Sequence, residues 1–209
     1  MKKGIQIFLG LVIVALIYVV ADMIHTPLKF EQQLKSRNAD VIVKLKDIRA
    51  AERAFKSKYQ HFTSDFDSLI NFILNDSLEL ERKLVDEDDS VAMARLKKLR
   101  KKNIEKFTYS VKDSLFKHLS DEDIVNLRYI PYTDNKTEFL LDAGILTTES
   151  KIVIPTVECR APYIAFLDTV VYRQEIINLV DNCLNVLNKY PGIKFGSMES
   201  GNNEAGNWE

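Results

Sequence analysis

Glycine is nearly missing from the first two thirds of this chain. Seven occur in 209 residues, and none lies between Gly10 and Gly144. Tight turns are therefore expected mainly in the last third. The scarcity also removes several chemistries. The chain has no P-loop, no glycine-rich dinucleotide turn and no G-x-S-x-G elbow. Histidine is as sparse. His25, His61 and His118 stand far apart with no ligand spacing between them, and H-E-x-x-H does not occur. No cofactor is expected. Cysteine is limited to Cys159 and Cys183. A cysteine nucleophile needs a nearby base, and the nearest histidine in sequence is His118. The formal net charge is −1, which gives no global electrostatic case for a nucleic-acid partner. Low complexity and fixed-period repeats are absent before the last dozen residues.

What the chain does have is a long apolar run at its start. Ile5 to Ile24 contains only two strongly polar residues, Gln6 and Asp22, each within a turn of an end. As a helix at 1.5 Å per residue, 20 such residues span roughly 30 Å, one hydrocarbon core. Lys2 and Lys3 precede the run, so the positive-inside rule places the N-terminus in the cytoplasm and the rest of the chain outside. Two readings of the run stand: a retained anchor, or a signal peptide cleaved after Val19-Val20-Ala21. The length favours the anchor. The absence of a cysteine just after the run argues against a lipoprotein.

The run continues into a second helical pattern. Val41, Leu45, Ile48, Glu52, Phe55 and Tyr59 recur with helical period, while Lys44, Lys46, Asp47, Arg49 and Arg53 point elsewhere. Pro27 is expected to kink the helix or restart it. Val41, Leu45, Ile48 and Phe55 are candidate interaction residues, with packing on the chain's own core the favoured use. With Lys2-Lys3-Gly4 as a short basic leader and Ile5 as first mature residue, the layout resembles type IV pilins and pseudopilins. Those families carry a glutamate at the fifth mature position, and here that position is Leu9. The resemblance implies an apolar helix with an amphipathic extension bearing a globular head. An ordinary anchor followed by a stalk helix explains the same residues and is preferred.

The remainder reads as one α+β domain. Ser64 is the expected N-cap of a short helix burying Phe66, Leu69, Ile70 and Ile73. Strands are expected near Ser77–Val85, Phe107–Val111, Leu127–Pro131, Glu138–Ala143 and Lys151–Val157, with Pro155 marking an edge or bulge. Asn75-Asp76-Ser77 and Asn135-Lys136-Thr137 match glycosylation sequons, but turn and cap chemistry accounts for both. Asp86-Glu87-Asp88-Asp89 fails as a calcium loop, because Val91 and Lys97 fall where glycine and the closing acid belong. With the bases from Arg95 to Lys102 it reads better as a helix whose ends match its dipole and whose buried stripe is Met93, Leu96 and Leu99.

A helix over Arg173–Tyr190 should bury Ile176, Val180, Cys183, Leu184 and Leu187, stop at Pro191-Gly192 and return as a strand at Ile193–Gly196. Trp208 in the polar tail is a candidate for docking or for partner contact. Cys159 and Cys183 are a candidate disulfide, since the compartment inferred for them permits one. The expected division is residues 1–24 anchor, 25–59 stalk, 60–198 domain and 199–209 tail. The fold class is α+β: a long N-terminal helix, then a mainly antiparallel sheet of four or five strands with helices on one side. Two function classes follow. One is a membrane-anchored structural or interaction protein of a bacterial envelope, with the bilayer and an envelope protein as partners. The other is a tethered enzyme or small-ligand binder with a scattered site. A deep polar cleft would favour the second.

Overall fold

The computed structural model describes residues 2–86, 90–99 and 103–209. Helix α1 (Lys2–Tyr59) runs for 58 residues without a break, a length of about 86 Å at 1.5 Å per residue. Pro27 lies inside it. The missing N–H costs one backbone bond, yet the helix does not restart there. The two halves of α1 have different surroundings. Every described side chain from Gln6 to His25 is exposed, and the helix is long and apolar enough to cross a membrane. From Phe30 onward an inner stripe sinks into the domain: Phe30, Val41, Leu45, Ile48, Ala51, Glu52 and Phe55 are all buried. This is the 3.6-residue spacing read from the sequence, and it meets the chain's own core.

Helix α2 (Phe66–Asn75) packs beside α1 and buries Phe66, Leu69, Ile70, Phe72 and Ile73. Its cap is Asp65, one residue beyond the expected Ser64. The Asp65 carboxylate accepts from the backbone N–H groups of Asp67 and Ser68, two donors that the helix start leaves free. Strands β1 (Ser77–Lys83) and β2 (Ile104–Ser110) form an antiparallel ribbon, with Ser77 opposite Ser110 and Lys83 opposite Ile104. Between them lies α3 (Ser90–Lys98). Leu99 is 65% exposed, so it does not belong to a buried stripe. The side chains of Met93 and Leu96, and residues 87–89 and 100–102 of the acidic and basic runs, lie outside the described residues.

Val111, expected to finish a strand, instead opens α4 (Val111–Leu115), because the Ser110 hydroxyl caps it. Helix α5 (Asp121–Val125) starts with a reciprocal capping box between Ser120 and Asp123, then tightens into a 3₁₀ turn at Asn126–Arg128. The expected strand over Leu127–Pro131 is reduced to one bridge, Tyr129 with Glu138. The 3₁₀ turn takes Leu127 and Arg128 out of the expected strand. On the side away from Glu138, the Lys44 ammonium of α1 donates to the carbonyls of Asn126 and Tyr129 at 3.0 and 2.9 Å and ties the turn to the long helix.

The second sheet is antiparallel, in the order β3 (Leu140–Thr147), β4 (Val153–Pro162), β5 (Gly192–Gly196). The α+β class stands, but the single sheet is replaced by a two-stranded and a three-stranded one. Pro155 pairs with Ile145 of β3 and precedes the Glu158–Pro162 stretch that pairs with β5. Strand β4 is thus an edge where the proline sits. From Thr156 to Cys159 four successive residues of β4 are buried, so both its faces are covered. Cys159 lies next to Glu52 of α1, while Thr156 and Glu158 meet Met198 on the other side.

Helix α6 (Tyr163–Phe166) follows β4 directly. Helix α7 (Arg173–Asp181) ends in a π turn, Asn182–Val186, closed by the Leu187 N–H donating to Asn182. The wider turn rotates the face that follows it. Ile176 and Cys183 stay buried, but Leu184 and Leu187 are about half exposed, contrary to the expected stripe. Left-handed backbone is not confined to the last third: beside Lys151, Asn188, Gly196, Asn203 and Glu204 it occurs at Gln60, Tyr132, Asp134 and Asn135. Asn and Asp carry four of these positions in place of glycine, and of the described glycines only Gly196 has a positive φ. There a Cβ would stand 1.9 Å from the Val157 carbonyl oxygen.

Candidate functional site

The residues singled out by sequence converge on the seam where α1 meets the rest of the domain. Val41, Leu45, Ile48 and Phe55 are all covered by the chain itself. The Phe55 ring lies 4.6 Å from Tyr59, 5.2 Å from Phe72 and 5.6 Å from His61, centroid to centroid. Cys159 is buried on β4 beside Glu52, and Cys183 is buried in the π turn near Tyr163; both are free thiols.

Glu52 is the unusual member of the seam. Its side chain is wholly buried on the apolar stripe. Oε2 accepts the Thr63 N–H at 3.1 Å, and Oε1 has no protein partner. Burial outweighs that one hydrogen bond and pushes its pKa up to about 8. At neutral pH the group is a neutral carboxylic acid. Burial raises the Cys159 thiol as well, and Glu52 adds to the effect. A thiol held protonated next to a protonated carboxyl, both out of contact with solvent, is a packing element and not an activated nucleophile. The sequence displayed Glu52 in the apolar period; an acid in that register is the signal that marks it.

A second cluster fastens the C-terminal segment to α1. Arg49, Arg53 and Lys56 lie on one face of the helix. Arg53 Nε donates to Oε2 of Glu204 at 3.1 Å, and Lys56 Nζ approaches Oε1 at 3.5 Å. Arg49 donates to the Glu204 carbonyl at 3.2 Å and to the Glu209 carboxylate at 2.6 Å. Its guanidinium lies 5.6 Å from the Trp208 ring, which packs against the core. Asn207 extends the attachment by donating to the Gly192 carbonyl and accepting from the Lys194 N–H. Trp208 therefore docks.

A charged cleft of about 370 Å³ opens where α2, the Tyr129–Glu138 bridge and β3 meet. Its two guanidinium groups are already engaged. Arg128 pairs with Asp67 and, at 3.5 Å, with Glu138. Arg160 pairs with Asp142 and, at 3.5 Å, with Glu158. Each cation is balanced by two carboxylates, which describes an ion-pair lattice joining elements more than a vacant anion site. Among the described residues, no group of three or more His, Cys, Asp or Glu is placed to hold a metal ion.

No family model, curated protein or solved structure matches this chain.

Proposed function

We propose that this chain is a membrane-anchored envelope protein whose domain outside the cytoplasm acts as a structural or interaction module. Residues 1–24 span the cytoplasmic membrane with the N-terminus inside, and the domain stands on the outer side. One observation carries the reading: a single unbroken helix exposes every described side chain of its apolar first part and buries a stripe of its second part in the domain. An apolar helix face of that length left open to water is costly. A bilayer removes the cost, and the basic residues Lys2 and Lys3 set the direction.

The interaction class is preferred to the tethered enzyme because of the chemistry of the charged cleft and of the buried acid. The charged cleft is internally neutralised, and the buried Glu52 and Cys159 have no contact with solvent. Fractionation of the full chain expressed in a bacterium tests the proposal. The protein should stay with membranes through carbonate washing, and its C-terminal domain should be cleaved by protease added outside the cytoplasmic membrane. Recovery of a soluble chain beginning at Asp22 would show a signal peptide instead and overturn the anchor.

A further inference from the structure

The corner between α6 and α7 packs against α1 on the side toward the apolar run. Arg37 of α1 donates to the Phe166 carbonyl at the end of α6. Seven residues nearer the N-terminus, Phe30 packs against Tyr172 with tilted rings, centroids 5.5 Å apart. The chain from Phe166 to Tyr172 thus descends along α1 toward the run. Phe30 lies six residues beyond Ile24, which is about 9 Å of helix, a few Å past the roughly 5–7 Å of one headgroup layer, so a side chain reaching a few Å below Phe30 meets that layer.

At this low point the surface is apolar. Asp168 accepts the N–H groups of Val170 and Val171 at 3.0 Å each, forming a tight turn that holds both valines outward. Val170 is 90% exposed and Val171 62% exposed. Beside them, starting at Thr169, a groove of about 690 Å³ is bordered by Ile164, Ile177 and Leu184, each about half exposed or more, with Arg173 and Asp181 at its rim. Tying a turn so that two valines face water serves no packing purpose inside the domain. Exposed apolar side chains gathered at one corner mark a contact surface.

We propose that the Val170–Val171 turn is a second membrane contact, entering the headgroup layer beside the anchor and seating the domain on the bilayer. The inference rests on the anchored reading above. The charges along this corner balance, with Lys29, Lys35, Arg37 and Arg173 against Glu31, Asp168, Glu175 and Asp181. Attraction to anionic headgroups is therefore not the driving force, and neutral phosphatidylcholine suffices. The contact is by apolar insertion, as for other interfacial anchors.

The test uses the full chain in phosphatidylcholine vesicles doped with lipid that carries a nitroxide high on the acyl chain. A fluorophore is attached at Val170→Cys, at Val14→Cys at the middle of the apolar run (read in vesicles whose nitroxide is instead near the chain end), or at Glu79→Cys on the exposed face of β1. Cys159 and Cys183 are buried and do not compete for the label. Quenching at Val14 and Val170, with Glu79 as bright as in undoped vesicles, is the expected result. A quenched Val14 with a bright Val170 overturns the second contact and leaves the anchor standing. A bright Val14 overturns the anchor itself, and the second contact with it.

Discussion

Arg53 and Glu204 are joined at 3.1 Å although 151 positions separate them in the sequence. The contact holds the C-terminal segment on the long helix. Glu204 is nearly buried, while Arg53 and Lys56 remain partly in water. Glu204→Ala should therefore cost about 1–2 kcal/mol, above an exposed pair and below a fully buried one. Trp208 is the only tryptophan, so its emission reports the attachment directly. A red-shifted spectrum together with a lowered melting temperature is expected. An unchanged spectrum would show that Trp208 is held by packing alone.

Glu52 makes stability depend on pH in a direction opposite to that of most carboxylates. Its folded pKa of about 8 lies above the ordinary 4.5. Between those values the unfolded chain loses the proton and the folded chain keeps it. The contribution of this group to stability is therefore greatest below pH 4.5, falls as pH rises toward 8, and is level beyond. The full difference is ~5 kcal/mol at most. Glu52→Gln should melt higher than the parent at pH 8–9 and close to it near pH 4. Thermal denaturation across that range checks the sign, and parallel pH profiles for the two proteins would refute it.

Ile48→Asp should unfold the domain. Ile48 is wholly buried against the chain's own core, so the change removes packing and inserts an unpaired charge, at about 2–5 kcal/mol. A melting curve beside a sizing measurement is the check. A variant that melts like the parent but changes its association state would show that the stripe faces another chain.

The two cysteines should behave as hidden thiols. Cys159 lies beside Glu52 and Cys183 near Tyr163, and the structure holds both free. Thiol reagent should label neither in the folded protein and two per chain after denaturation without reductant. Absence of label after denaturation would establish a bridge between them.

The long helix was legible because its pattern is local: an apolar run, then residues at helical period. The division into two sheets was not. Strand pairing such as Cys159 with Phe195 depends on partners far apart in sequence. Leu127 to Pro131 alternates like a strand, but the end of α5 tightens into a 3₁₀ turn that takes Leu127 and Arg128 and leaves one bridge, at Tyr129. The docked tail was hidden by its own Asn- and Gly-rich composition. Its seat was written elsewhere, in Arg49, Arg53 and Lys56 on α1. Glu52 stood in plain view at an apolar position, yet only the geometry around Thr63 shows what its carboxyl meets.

The unbroken passage of α1 through Pro27 has a mechanical consequence. No hinge of loose chain separates the apolar run from the domain, so the domain cannot swivel independently of it. The helix is a lever with the head built onto its long arm. Residues 25–59 span about 52 Å, and a tilt of about 20° in the run would carry the far end sideways by roughly 18 Å. The reach and bearing of the outer surface are therefore governed by how the first 24 residues lean.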